Sequence, residues 1–190
     1  DFLSGNSHSS QPLPVNSKAF LHYSGHGTQL RGKGSHESDN KDEAIVPVDF
    51  ENSGMIVDDL LHSILTSLPG DRGVQVLMDC CCSGTNLDLP YIYEKKFLRF
   101  EKDTIETTCQ IQQFSAVTDP QSAIDVNGKI PSGAMTSSFI KVMKREGNKG
   151  TVDLICSEIN KEVINFVGKG KHDVCFSSGK YFLPTDHVCL

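Results

Sequence analysis

Two short runs in this chain carry residue types able to do hydrolytic chemistry. Val74 to Met78 is an apolar stretch that ends in Asp79, three consecutive cysteines (Cys80, Cys81, Cys82) and Ser83-Gly84. Upstream, Ala19 to Ser24 is a second apolar stretch, and it runs into Gly25-His26-Gly27. A thiolate attacks a carbonyl far better than a thiol does, so a working cysteine needs a proton acceptor or positive charge beside it. An imidazole suits that task near neutral pH. The glycines flanking His26 leave room for a substrate backbone to approach, and the Gly27 N–H can face a developing oxyanion. The chemistry that fits is acyl transfer by a Cys/His dyad.

Each of these residues has a plainer reading. A histidine in a turn usually does nothing special, and buried cysteines often only fill a core. Three successive side chains on an extended backbone cannot all point one way, so at most one or two of the cysteines face a cleft. Asp79 projects to the same side as Cys81 if the backbone stays extended. There it either holds a cationic group by a charge-assisted bond or merely shapes the strand end. Asp42, Asp58, Asp59 and Asp88 read first as solvated loop and helix-start acids. Asp58-Asp59 alone is a weak cation signal, because calcium takes roughly six to eight oxygens from several segments.

The elements that must position these groups follow from pattern. The run at 74–78, bounded by Gly73 and Ser83-Gly84, suits a strand buried on both faces. Open α/β sheets place their chemistry at the carboxyl ends of such strands. Two parallel neighbours, 19–24 and 74–78, would bring His26 and a cysteine to one edge. Residues 2–17, rich in Ser, Asn, Pro and Gly, read as a linker-like lead. Residues 25–42 read as a polar loop, and 44–50 as a short extended edge piece because of Pro47. Residues 58–68 predict a helix with Leu60, Leu61, Ile64, Leu65 and Leu68 on one face. Asp58 and Asp59 favour its positive end, and Pro69-Gly70 stops it. The stretch 86–108 is long and mixed, with a basic cluster at Lys95, Lys96 and Arg99. A strand is expected at 111–117 and a helix at 136–145, with Phe139, Ile140 and Met143 inward. A second helix is expected after a Thr151 cap, with Val152, Ile155, Ile159, Val163 and Phe166 inward, and a last extended piece at 174–177. Strands alternating with helices predict an α/β fold with a largely parallel sheet.

Composition sets outer bounds. The 190 residues suffice for one domain, and 37% hydrophobic with 22% charged residues is ordinary for a globular chain. No apolar run approaches the ~20 residues that cross a bilayer, and no signal peptide is read at the start. The net charge of −6 disfavours nucleic acid as the main partner. Seven cysteines, an odd number with three in a row, do not look like a secreted disulfide framework. Without two spaced C-x-x-C pairs a zinc site is not indicated either. A reducing cytoplasm is the expected setting.

The two runs together resemble a known family. H-Y-S-G-H-G at 22–27 and D-C-C-C-S-G at 79–84 are similar to the paired signatures of metacaspases, the caspase-like cysteine peptidases. E-A-I-V-P-V-D-F at 43–50, I-V-D-D at 56–59 and L-D-L-P-Y at 87–91 resemble the family's large-subunit region. F-S-A-V-T-D-P-Q-S-A at 114–123, G-A-M-T-S-S-F at 133–139 and S-S-G-K-Y-F at 177–182 resemble its small-subunit region. The resemblance implies a caspase-like three-layer α/β/α sandwich with a mostly parallel central sheet. It implies a peptidase domain over 18–190, large-subunit-like to 93, a linker at 94–108 and small-subunit-like from 109. It further implies endopeptidase activity after Arg or Lys, activated by calcium, in programmed cell death or stress proteolysis, with no organic cofactor. His26 matches the base and Cys81 the nucleophile. Gly27 and Cys81 would give the oxyanion-hole N–H groups, and Ser24 and Asp79 would line the pocket for the cationic side chain. Asp42, Asp58, Asp59 and Asp88 match acids that bind the activating calcium. Expected partners are peptide or protein substrates, with no nucleic acid and no membrane, and a monomer is expected. Lys95, Lys96 and Arg99 fall where members of the family often cut themselves.

Three departures stand beside the resemblance. The family usually has His after its nucleophile, where this chain has Cys82. The strand-helix-strand-helix unit that precedes the first signature is not in this sequence, so an apolar sheet edge is expected to be open. The loop at 31–41 lacks most of the acids often found there. The first two support an alternative, a catalytically impaired caspase-like module that binds or regulates partners. A thiol redox or metal protein built on the cysteine triplet is a third reading.

Overall fold

A computed structural model describes residues 14–31, 41–80, 87–101, 104–118, 133–168 and 172–188. In chain order the elements are β1 (Lys18–Ser24), β2 (His26–Arg31), β3 (Lys41–Val46), the one-turn helix α1 (Phe50–Ser53) and β4 (Ile56–Val57). There follow α2 (Asp58–Thr66), β5 (Gly73–Asp79), β6 (Tyr91–Glu94), β7 (Phe97–Phe100), β8 (Gln110–Thr118), α3 (Ala134–Glu146), α4 (Val152–Val167) and β9 (His172–Ser178). A six-stranded sheet runs in the order β1-β5-β8-β9-β6-β7, and β2, β3 and β4 make a small separate sheet.

The sheet is mixed. β1, β5 and β8 are parallel, as the alternation of strands and helices predicts, but β9, β6 and β7 join antiparallel. The reason lies in the connections. Among the described residues α3 and α4 lie between β8 and β9, and an out-and-back pair of helices returns the chain in the opposite direction. β6 and β7 form a hairpin within 86–108, the stretch whose sequence is long and mixed. Its turn is Lys95-Lys96, both at positive φ (51° and 69°). That geometry usually announces itself through Asn-Gly or Asp-Gly, and a lysine pair gives no such signal. The expected linker at 94–108 therefore contains β7. Lys95 lies close to Glu94 and Asp173, and Arg99 pairs with Glu101.

The central strand β5 is buried on both faces, which is why it reads as a continuous apolar run. Leu77 faces a cluster with Phe114 and Phe176, covered by Met135, Phe139 and Val142 of α3 and Ile155, Ile159 and Val163 of α4. Val74, Val76 and Met78 face the other way, onto Ile111, Leu65, Leu68, Leu87 and Leu89. Three layers result. The predicted inner faces are rotated slightly: Leu60, Ile64, Ile140 and Phe166 are about half exposed, and Met135 and Val142 take the inner positions of α3. Thr151 does cap α4, accepting the Leu154 N–H at 3.3 Å.

Within the stretch expected to be a polar loop, residues 26–31 and 41–42 are strand. β2 and β3 pair antiparallel, with His26 opposite Val46 and Thr28 opposite Ala44. Polar residues on both strands blur the alternation that would have marked them.

Candidate active site

Parallel pairing of β1 with β5 sets the geometry. Its register runs from Lys18 opposite Gly73 to Ser24 opposite Asp79, so both strands end together. Just past that end, the Gly25 N–H donates to the Asp79 carbonyl at 3.2 Å. The turn carrying His26 is thus tied to the last residue of the strand that leads into the cysteines. Ser24 and Asp79 thus end the two strands side by side, with His26 and Gly27 following directly after Gly25. Cys80 is buried among Met78, Leu87 and their neighbours, so the first thiol of the triplet serves the core. Cys81, Cys82, Ser83 and Gly84 lie outside the described residues.

His26 is exposed, and its backbone is held by Tyr23. The Tyr23 hydroxyl lies 2.8 Å from the His26 carbonyl, 3.0 Å from the Val46 carbonyl and 3.3 Å from the Val46 N–H. With one proton it donates to one carbonyl at a time while accepting from Val46. Burial pushes the Tyr23 phenol above its ordinary pKa, so it stays a donor. A methyl group at position 25 would come within 2.7 Å of the Tyr23 oxygen. Here glycine is required by close approach of the ring.

Asp79 is buried, and its Oδ2 takes two hydrogen bonds from the first turn of α3. The Thr136 N–H donates at 2.8 Å and the Thr136 hydroxyl at 2.6 Å. His22 Nε2 lies 3.0 Å from the same hydroxyl oxygen. The N-cap of α3 is Gly133, which offers no side-chain cap, and Asp79 supplies a carboxylate to that helix end instead. Thr136, His22 and Tyr23 were not singled out from the sequence. The sequence places the helix at 136–145, and the structure begins it two residues earlier, which puts Thr136 in its first turn.

The acids form a second group. Asp58 is buried, and its two oxygens accept the Glu43 and Asp59 N–H groups, each at 2.8 Å. Burial raises its pKa, those N–H groups offset part of the rise, and Asp59 and Asp42 add repulsion. Asp88 is raised to about 6, first by burial and then by Asp58, with His62 acting in the opposite sense. His62 Nδ1 donates to the Leu87 carbonyl at 2.6 Å and so fixes the residue before Asp88. Asp58 is therefore near enough to Asp42, Asp59 and Asp88 for repulsion, and Asp88 is near enough to Asp59. Even so, among the described residues no group of three His, Cys, Asp or Glu is arranged to hold a metal ion. Cys109, Cys156 and Cys175 are buried thiols. Among the described residues no helix is long and apolar enough to cross a membrane.

Comparison with known proteins accords with this geometry. The family profile of the metacaspase peptidase C14 domain matches residues 11–90, which include His26, Asp79 and Cys81. Metacaspase-1 of Plasmodium falciparum is 34% identical over 139 residues, covering 70% of this chain and 22% of the relative. Metacaspase-1 of Yarrowia lipolytica is 31% identical over 189 residues, covering 74% and 41%. Metacaspase-2 of Trypanosoma brucei brucei is 33% identical over 161 residues, covering 77% and 43%. The chain spans less than half the length of these relatives. A crystal structure of a Geobacter sulfurreducens protein superposes with a TM-score of 0.53 at 20% identity, covering 87% of this chain and 67% of the other. That likeness concerns the fold alone. On the family profile and these relatives, and with a caspase-like α/β fold, the chain belongs to the metacaspase family of C14 peptidases.

Proposed function

We propose that this chain is a cysteine endopeptidase that hydrolyses peptide bonds after Arg or Lys. The observation that carries the reading is the flush parallel end of β1 and β5, locked by the Gly25 N–H to Asp79 carbonyl bond. It sets the Gly25-His26 turn beside the end of β5, and Cys81 follows that end two positions later in the sequence. In the proposed reaction His26 takes the proton from the Cys81 thiol, and the sulfur attacks the scissile carbonyl carbon. The Gly27 and Cys81 N–H groups hold the resulting oxyanion. On collapse the C–N bond breaks, and the amine leaves with the proton from the imidazolium. Water, deprotonated by His26, then cleaves the thioester to release the carboxylic acid and restore the thiol. Asp79 and Ser24, opposite one another at the strand ends, receive the cationic side chain.

The acid group is the proposed seat of an activating calcium ion. Burial first, and then repulsion from neighbouring acids, raises Asp58 and Asp88, and a divalent cation relieves the repulsion. The charge therefore suits calcium, while the ligand geometry is not preassembled, and no step of the reaction runs through the ion. The proposed setting is the cytoplasm, with a monomer acting on peptide or protein substrates. Self-cleavage near Lys95-Lys96 would have to open the β6–β7 turn.

A fluorogenic peptide ending in arginine, assayed with and without calcium, tests the reading. Turnover by the native chain that vanishes in Cys81→Ala is expected. Turnover absent, or unchanged by that substitution, overturns the peptidase reading and favours a partner-binding module.

A further inference from the structure

The sheet face carrying Asp79 is covered by α3, which comes from the other half of the chain. Phe20 and Phe139 approach with ring centroids 6.2 Å apart, and Met135, Phe139 and Val142 are buried against the sheet. The first turn of α3 is therefore fixed in place by packing. That turn holds Asp79 at one oxygen. Oδ2 accepts both the N–H and the hydroxyl of Thr136, while Oδ1 takes no hydrogen bond from a described residue. The hydroxyl has one proton, and the 2.6 Å contact to an ionised carboxylate uses it. The 3.0 Å contact to His22 must then be donated by the imidazole Nε2–H. The donors run in one direction, from His22 to Thr136 to Asp79.

We propose that Thr136, backed by His22, is the positioning residue that sets selectivity for a cationic side chain next to the cleaved bond. This rests on the reading that Asp79 receives that side chain. With Oδ2 saturated by Thr136, the carboxylate has one rotamer and presents Oδ1 to the incoming cation. A carboxylate held in this way before substrate arrives loses no freedom on binding. The device also makes the pocket depend on both halves of the chain, because Asp79 lies in the large-subunit-like half and Thr136 in the first turn of α3, in the small one.

The test compares kcat/KM for two peptides that differ only in arginine or its neutral isostere citrulline at the cleaved position. Thr136→Val keeps the shape and the backbone N–H but removes the hydroxyl. It should lower the arginine-to-citrulline ratio about tenfold, chiefly through KM, since hydrogen bonds to charged groups are among the stronger ones. Thr136→Ser should restore the ratio to within about twofold of native. His22→Ala, on the exposed face of β1, should lower it in the same direction by a smaller factor. General destabilisation would depress both peptides equally and leave the ratio alone. Asp79→Asn separates this inference from the reading beneath it. If Asp79→Asn collapses the ratio while Thr136→Val and His22→Ala leave it intact, the positioning role is refuted and the pocket stands. If Asp79→Asn leaves the ratio high, or the native chain cleaves neither peptide, both fall.

Discussion

Replacing Tyr23 by phenylalanine removes a single oxygen that serves three backbone groups. The lost contacts are those to the carbonyls of His26 (2.8 Å) and Val46 (3.0 Å) and from the Val46 N–H (3.3 Å). The ring remains, so its apolar packing against the core beside Leu21 is kept. What changes is the satisfaction of partly buried backbone groups. One good bond is lost, and at least one group is left without its partner. Together these cost about 2 kcal/mol, or a fall of about 4–8 °C in Tm for a chain of this size. The same oxygen ties the start of β2 to β3, so its loss also loosens the backbone that aims His26. Small displacements of a reacting group are expensive, and kcat should fall by about tenfold while KM for an arginyl peptide changes little. Differential scanning calorimetry and steady-state kinetics on the purified variant read both effects. Gly25→Ala should reproduce the pattern by another route, because its methyl would press the Tyr23 oxygen at 2.7 Å. A Tyr23→Phe variant with native Tm and native kcat would refute the assignment of Tyr23 as the clamp on His26.

Other consequences are tested away from that turn. Gly179→Ala places a methyl against Thr107, 2.8 Å from its Cγ2 and closer still to its hydroxyl, and threatens the Thr107 hydroxyl bond to the Cys109 carbonyl. A loss of about 1–3 kcal/mol by chemical denaturation is expected, and an unchanged midpoint would contradict it. Asp88 gives a pH prediction. Its folded pKa is about 6, above the ordinary 3.8, so the folded state holds that proton more tightly than the unfolded chain does. This contribution to stability is present in acid, declines as pH rises from about 3.8 to about 6, and is gone above that. Asp88→Asn should therefore raise Tm near pH 7.5 and make little difference near pH 4, and calcium should raise the native Tm more at the higher pH. A variant that stabilises more in acid than at neutrality would reverse the inferred sign.

Much of the fold was legible because its central strands are chemically extreme. Val74–Met78 has no polar residue except Gln75, and α2, α3 and α4 repeat apolar residues at helical spacing. The β2–β3 ladder and the β6–β7 hairpin were missed for the opposite reason. Tertiary context holds HGTQLR and KDEAIV in strands that their own pattern scarcely marks. The meeting of Ser24, His26 and Asp79 could be foreseen from two apolar runs with flush ends. Thr136 could not, since its bond to Asp79 spans 57 positions and depends on how α3 lands on the sheet. Ile140 and Phe166 show the same limit: helical spacing predicts a face to within one residue of rotation, and packing fixes the rest.

The most direct measurement of the central claim is active-site alkylation with a peptidyl arginyl chloromethyl ketone, followed by peptide mapping with mass spectrometry. The account predicts one adduct, on the Cys81 sulfur, forming far more slowly in His26→Ala. An adduct on Cys82 alone, or labelling of Cys81 at the same rate without the imidazole, would contradict it.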